Sequence, residues 1–429
     1  MKIRRLLFVF VILALALTAC VPQAEEAAPA EEAAPAEEEA APAEEEAAPA
    51  EEEAAGPPAE CEADEFGCAV IPAGDTIKIG MGAPLLGDYS MFGIDISQGV
   101  EVALVQDDGF EGFKYELVAE DTGGAPEAGA AVANKMVTDP TVVAIAGHIF
   151  SGSTAAAMPI YEKAGFPMMS PSATLPELTE KGSAVFNRLA FTDATQAEFA
   201  AKLMFEDLGY TQLAVMHDGS SYGQGLAEGV ATVFAELGGE VVATEAITPG
   251  EVDYIAPLSS IAAQSPEAIY YGGYAAEAIV MANQWQQAGL EGVLLFGCDG
   301  TYGVEFTDKT GPNGEGSIAV SLVPPDSPEK EAFDAAYVEA YGTEAGELSA
   351  FSWSSYDTGA VLVAAVEKVA IVGDDGNLYV PRGALVEAVR NTDYTGLTGL
   401  VKCDEVGECN ASGPTFYIVE NGEWVPYVK

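Results

Sequence analysis

From residue 76 onward, short apolar and β-branched runs alternate with longer stretches whose apolar residues return every three or four positions. Runs at 76–81 (TIKIGM), 115–119 (YELVA) and 142–146 (VVAIA) have the length and composition of strands, and 97–105, 126–137 and 154–164 carry helical periodicity. Parallel strands need a crossover about as long as a helix, so this alternation predicts an α/β fold with a parallel sheet covered by helices on both faces. It resumes beyond Phe191 with helices at 196–208, 225–237 and 277–288 and strands at 212–216, 240–246, 268–271 and 293–296. Two αβ runs of domain length stand one after the other.

Open parallel sheets receive ligands beyond the carboxyl ends of their strands. Three such loops carry hydroxyls: Ser151-Gly152-Ser153-Thr154 after strand 142–146, Ser170-Pro171-Ser172-Ala173-Thr174 after 166–169, and Ser220-Ser221 after 212–216. Free N–H groups and the positive end of a helix dipole suit an anion, and a hydroxyl adds a directed donor. Helix capping explains any one of these residues as well; recurrence after successive strands is the argument for a ligand. After strand 293–296, Cys298-Asp299-Gly300 brings an acid to a strand end, either to meet a cation or to shape a turn before Gly300.

Gly219 to Gly223, inside HDGSSYG, reads GxSxG between a strand and a helix, as a hydrolase nucleophile elbow does. Such enzymes order their triad serine, acid, histidine. Both histidines of this chain, His148 and His217, precede Ser221, so no triad of that type forms. Gly80-Met81-Gly82 lacks the third glycine of a dinucleotide loop, and no GK[ST] sequence occurs. Neither close cysteine pair has zinc-ligand spacing. No catalytic group, metal or cofactor is expected.

Lys2, Arg4 and Arg5 precede an apolar run at 6–17 that is too short to span a bilayer, as in a signal peptide. Residues 17–20, LTAC, resemble the bacterial lipobox, which implies a lipoprotein signal over 1–20 and lipid on Cys20; a plain secretion signal with an incidental cysteine is the alternative. Residues 21–60 repeat EEAAPA and EEEAAPA. Recurrent proline blocks a continuous helix and glutamate clusters repel, so this segment is expected to be a disordered tether. The formal net charge of −51 disfavours nucleic acid and anionic lipid as partners. In an exported chain the simplest disulfides are local, Cys61 with Cys68 in a short loop at 61–75 and Cys403 with Cys409, leaving Cys298 a free thiol.

Six segments together resemble one family. Gly147-His148, Ser151 to Thr154, 171–178 (PSATLPEL), His217-Asp218 with Tyr222-Gly223 and 225–227, 270–274 (YYGGY) and 351–356 (FSWSSY) look like the leucine/isoleucine/valine-binding proteins of ABC importers, from about residue 76 to the end. The resemblance implies two Rossmann-like lobes joined by three crossovers near Phe191, at 320–323 and at 397–399, with the ligand between them. Lobe 1 would comprise 76–191 and 322–398, and lobe 2 would comprise 192–321 and 399–429. It further implies that Ser151 and Thr174 hold the ligand carboxylate, and that Ser172, Thr174 and Asp299 meet its ammonium. Tyr222 and Tyr274 would close over the guest, while Phe92, Phe150 and Phe351 form the side-chain pocket. Departures from the family are a missing disulfide, with Gly124 and Phe150 at the matching positions, Asp299 for a longer glutamate, and Phe92 for a tyrosine. The expected role is a monomeric, lipid-anchored receptor on the extracytoplasmic face of the cell membrane that serves an ABC permease. A sensing module of the same fold is the alternative.

Overall fold

The computed structural model describes residues 56–409 and 413–428. Cys20, the 1–20 signal segment and nearly all of the 21–60 repeat lie outside the described residues.

One five-stranded sheet has the order Tyr115–Asp121, Ile77–Ala83, Val142–Ala146, Met168–Ser170, Phe186–Arg188, with every pair parallel. A second begins the same way, with Glu240–Ala246, Gln212–His217, Ala268–Gly272, Leu294–Phe296 and Ile318–Ser321, and adds Thr415–Glu420 and Glu423–Pro426 antiparallel at its edge. In both sheets the strand order reverses beside the first strand. The loops leaving the first and third strands therefore diverge and open a crevice at the strands' carboxyl ends.

The chain leaves the first lobe after Phe186–Arg188 and returns after Ile318–Ser321, where Pro328–Tyr341 and Ser352–Val369 pack on Ser90–Gln106. It crosses again beyond the hairpin of Tyr394–Gly396 and Gly399–Val401. Buried Asp357 fixes that turn: its carboxylate accepts the Leu397 and Thr398 N–H groups, each at 2.8 Å, and the Thr398 hydroxyl at 2.6 Å.

Three differences from the sequence reading have clear causes. The helix expected at 97–105 spans Ser90–Gln106, because Gly93, Asp95 and Gly99 break its apolar rhythm; Gly93 lies against the Pro84 carbonyl, whereas Asp95 and Gly99 serve a helix contact. A Cβ on Gly99 would lie 2.6 Å from the Ser352 carbonyl oxygen. Asp95 is buried and accepts the hydroxyls of Ser349, Ser352 and Tyr337 at 2.5, 2.6 and 2.8 Å. Burial pushes its carboxyl up to about 6, against the pull of those hydroxyls. Helices likewise begin at Ser151, Asp193 and Ser221, earlier than expected, since small polar first turns read as loop.

The 61–75 segment, expected as a loop, is built into the first lobe. Ala59–Ala63 is helical, and Cys68–Ile71 pairs antiparallel with Leu378–Pro381; a disulfide joins Cys61 to Cys68. Cys403 and Cys409 are also bridged. Their loop runs along the edge strand Phe186–Arg188: the Arg188 N–H donates to the Gly407 carbonyl at 2.8 Å, and Arg188 O accepts the Cys409 N–H at 3.0 Å. Residues 403–409, assigned with 399–429 to the second lobe, thus lie against the first, where Glu408 pairs with the buried Arg188 guanidinium.

Candidate ligand-binding site

The two crevices face each other across a small cavity of about 20 Å³, room for roughly one water. The first lobe lines it with Phe92 from helix Ser90–Gln106, Phe150 and Ser151 after strand Val142–Ala146, Ser172 after Met168–Ser170, and Phe351 before Ser352–Val369. Tyr222 after Gln212–His217, Tyr274 after Ala268–Gly272, and Asp299 after Leu294–Phe296 come from the second. Eight of the nine ligand residues proposed from sequence thus meet at one point. Thr174 does not line the cavity: its carbonyl accepts the Asp193 N–H at 2.9 Å, which draws it behind the wall.

Aromatic rings fill most of the space between the lobes. Phe150 and Tyr274 stack with centroids 4.5 Å apart and planes 11° apart, and Phe92 meets both edge-on at 5.7 and 5.6 Å. Gly124 makes room for the Phe150 ring, since a Cβ there would lie 2.9 Å from it and the backbone φ is +81°. The family's disulfide position is therefore taken over by aromatic packing.

Asp299 carries the site's charge. It is 2 % exposed, and its Oδ1 accepts the Tyr222 hydroxyl and Gln196 Nε2, each at 2.6 Å, while its N–H donates to Gln196 Oε1 at 3.1 Å. Burial raises its carboxyl above the usual range, against these two donors. No lysine or arginine lines the cavity. A buried carboxylate with hydrogen-bond donors but no counter-ion suits a cationic guest.

Only part of the hydroxyl pattern serves the cavity. Phe150 is the N-cap of helix Ser151–Ala164, so Ser151 is not a capping residue. Its Oγ accepts the Leu175 N–H at 3.3 Å, and Ser172 donates to the Ile149 carbonyl at 2.8 Å. The hydroxyls of Ser153 and Thr154 turn to the carbonyls of Phe150 and His148 instead. Ser220 does cap its helix, accepting the Gly223 N–H at 2.9 Å, whereas Ser221 is exposed and His217 Nδ1 accepts the Gly219 N–H at 3.1 Å. The GxSxG match is thus a capped helix start.

Sequence reasoning missed Ile96, Ile149, Gln196 and Tyr89. The Tyr89 ring lies 5.1 Å from that of Tyr274, and its hydroxyl donates across the cleft to buried Glu277 at 3.2 Å. Burial, then the Glu277 charge, raises the Tyr89 hydroxyl well above its ordinary range. The stretch DYSMFG held the signal for Tyr89, as an aromatic three residues before Phe92 where the loop after the first strand runs into the helix.

A family profile described as periplasmic binding protein matches residues 76–417. The chain belongs to that family. This periplasmic binding protein is 30% identical over 349 residues to the leucine-, isoleucine-, valine-, threonine-, and alanine-binding protein of Pseudomonas aeruginosa, covering 80% of this chain and 90% of that one. It is 31% identical over 290 residues to the Leu/Ile/Val-binding protein of Escherichia coli, covering 66% and 77%. Among solved structures, the leucine binding protein LivK of Thermotoga maritima superposes with a TM-score of 0.74 at 29% identity, over 82% of this chain and 98% of that one. The branched-chain substrate binding protein LivJ of Streptococcus pneumoniae, solved with isoleucine, gives 0.72 at 27% identity, over 81% and 97%. As a periplasmic binding protein, the chain is an extracytoplasmic binder of solutes and not an enzyme.

Proposed function

We propose that this periplasmic binding protein captures an amino acid, of branched-chain type or a related amide, and delivers it to an ABC permease. The observation that carries the reading is Asp299, a buried acid without a counter-ion that faces hydroxyls and apolar rings across one cavity. In this reading Ser151 holds the ligand carboxylate, and Ser172 and Asp299 meet its ammonium, while Thr174 stands behind the wall. Tyr222 and Tyr274 close over the ligand, and Phe92, Phe150 and Phe351 contact the side chain. The relatives named for leucine, isoleucine and valine support that choice.

The working unit is a monomer anchored on the extracytoplasmic face by lipid on Cys20, with 21–60 as tether. The lobes are 76–191 with 322–398 and 192–321 with 399–429, less the 403–409 loop. A thermal-shift panel of amino acids, amides and plain carboxylic acids tests the ligand: at about 100 times its dissociation constant a true ligand stabilises by about 2.7 kcal/mol. No shift with any amino acid overturns the reading. Cys20→Ser should release the protein from membranes with ligand affinity unchanged; equal membrane association of the variant rules the anchor out.

A further inference from the structure

The loop that carries Ser172 is held from behind by a buried arginine. Arg188 ends the edge strand Phe186–Arg188, and its Nη1 donates to the carbonyls of Ala173 and Leu175 at 3.1 and 2.7 Å. Both residues follow closely on Ser172, which lines the cavity, and the Leu175 N–H donates at 3.3 Å to Oγ of Ser151, which lines it too. The other edge of the guanidinium is fixed by Glu408. Arg188 Nε donates to Glu408 Oε2 at 3.1 Å and Nη2 to Oε1, while the Thr179 hydroxyl accepts from Nη2 at 3.1 Å and donates to Oε1 at 2.6 Å. All five N–H donors of the planar fork are thus engaged. Because the fork is rigid, the carboxylate on one edge sets the direction of Nη1 on the other.

Glu408 is brought to Arg188 by a loop with little packing of its own. Residues 404–406 are exposed, and the loop keeps its shape through the Cys403–Cys409 disulfide and through Asp404, whose carboxylate accepts the N–H groups of Val406 and Glu408 at 3.0 and 2.9 Å. Resting on the proposed function, we infer that Glu408 is a positioning residue of the ligand site, acting through Arg188 on the Ala173 and Leu175 carbonyls, and that the Cys403–Cys409 disulfide sustains ligand affinity by holding Glu408 in place. Neither Glu408 nor the disulfide lines the cavity. Without the carboxylate the guanidinium turns, Nη1 leaves the two carbonyls, and Ser172 and Ser151 lose their fixed placement. Binding must then order the loop as well as the ligand, and affinity falls. The Cys61–Cys68 bridge staples the same lobe through the pairing with Leu378–Pro381 instead of through the ligand loop, so it separates a general effect on the lobe from an effect on the site.

Calorimetry with L-leucine tests this on Glu408→Gln, on the double variant Cys403→Ser with Cys409→Ser, and on Cys61→Ser with Cys68→Ser, alongside hydrogen exchange at the Ser172, Ala173 and Leu175 amides. Glu408→Gln should weaken L-leucine by about tenfold and speed exchange at the three amides, and loss of the Cys403–Cys409 bridge should change both in the same direction. Loss of the Cys61–Cys68 bridge should lower thermal stability with affinity and exchange at those amides unchanged. Unaltered L-leucine affinity in folded Glu408→Gln overturns the inference. Should that variant not fold, the two bridge variants decide: equal losses of affinity in both mark the Cys403–Cys409 loop as a support of the lobe alone and overturn the inference. A wild type that binds no amino acid counts against the proposed function, and exchange at the three amides then decides this inference by itself, an unchanged rate in Glu408→Gln overturning it.

Discussion

Phe150 and Tyr274 stack ring on ring across the cleft, although one follows a strand of the first sheet and the other a strand of the second. An aromatic pair of this kind contributes about 0.5–1.5 kcal/mol beyond its buried area. Here that energy favours the closed arrangement with the cavity nearly filled. Tyr274→Ala should therefore shift the unliganded protein toward open forms, with a larger radius of gyration in solution scattering. An unchanged radius in the unliganded variant would show that the stack does not hold the lobes together.

Asp299→Asn keeps the shape of the site and removes its charge. Truncating one side of a buried charge pair typically costs about 2–5 kcal/mol, so affinity for a zwitterionic amino acid should fall more than tenfold. Unliganded stability should hold or rise slightly, because burial already disfavours this carboxylate. Near-equal dissociation constants by calorimetry would exclude Asp299 from the ligand site.

The sequence carried the architecture well, because strand and helix periods are local properties of the chain. Strands 142–146 and 240–246 appear with the bounds their β-branched runs suggest. What was not legible depended on contacts between distant segments. Asp95 and Gly99 look like helix breakers until the hydroxyls of Ser349 and Ser352, some 250 positions on, are packed against them. Cys403 and Cys409 could be paired by proximity, yet nothing local said that their loop would lie along Phe186–Arg188. At the site, eight residues known through the family resemblance converge on the cavity, whereas Tyr89 and Gln196 act through partners that only the fold supplies.

Tyr89→Phe removes the hydroxyl that reaches Glu277 from the opposite lobe and leaves the ring in contact with Tyr274. A hydrogen bond to a charged group contributes about 1.5–3 kcal/mol. Its loss should appear mainly as faster ligand release, about tenfold or more, because the bond joins the two lobes across the cleft. Stopped-flow dissociation measures this, and an unaltered release rate would mean that the bond is not part of closure.

Asp95 sets a pH dependence of known sign. Its folded value of about 6 exceeds the unfolded value near 3.8, so its contribution is fully present below about pH 4 and is lost as pH rises through 6. At roughly 1.4 kcal/mol per unit, the loss amounts to about 3 kcal/mol at most. Asp95→Asn should lower stability overall, having one acceptor oxygen for three hydroxyls, but should flatten the slope between pH 4 and 6. Denaturant midpoints for both proteins across that range give the comparison, and identical slopes would contradict the assignment.

The pairing of Cys68–Ile71 with Leu378–Pro381, stapled at Cys61, has a mechanical consequence. Any load applied to the chain upstream of Ala59 enters the first lobe through that small sheet and never crosses the cleft. One lobe serves as the fixed jamb and the other as the leaf that swings. Holding the protein by that end is therefore expected to leave the relative motion of the lobes free.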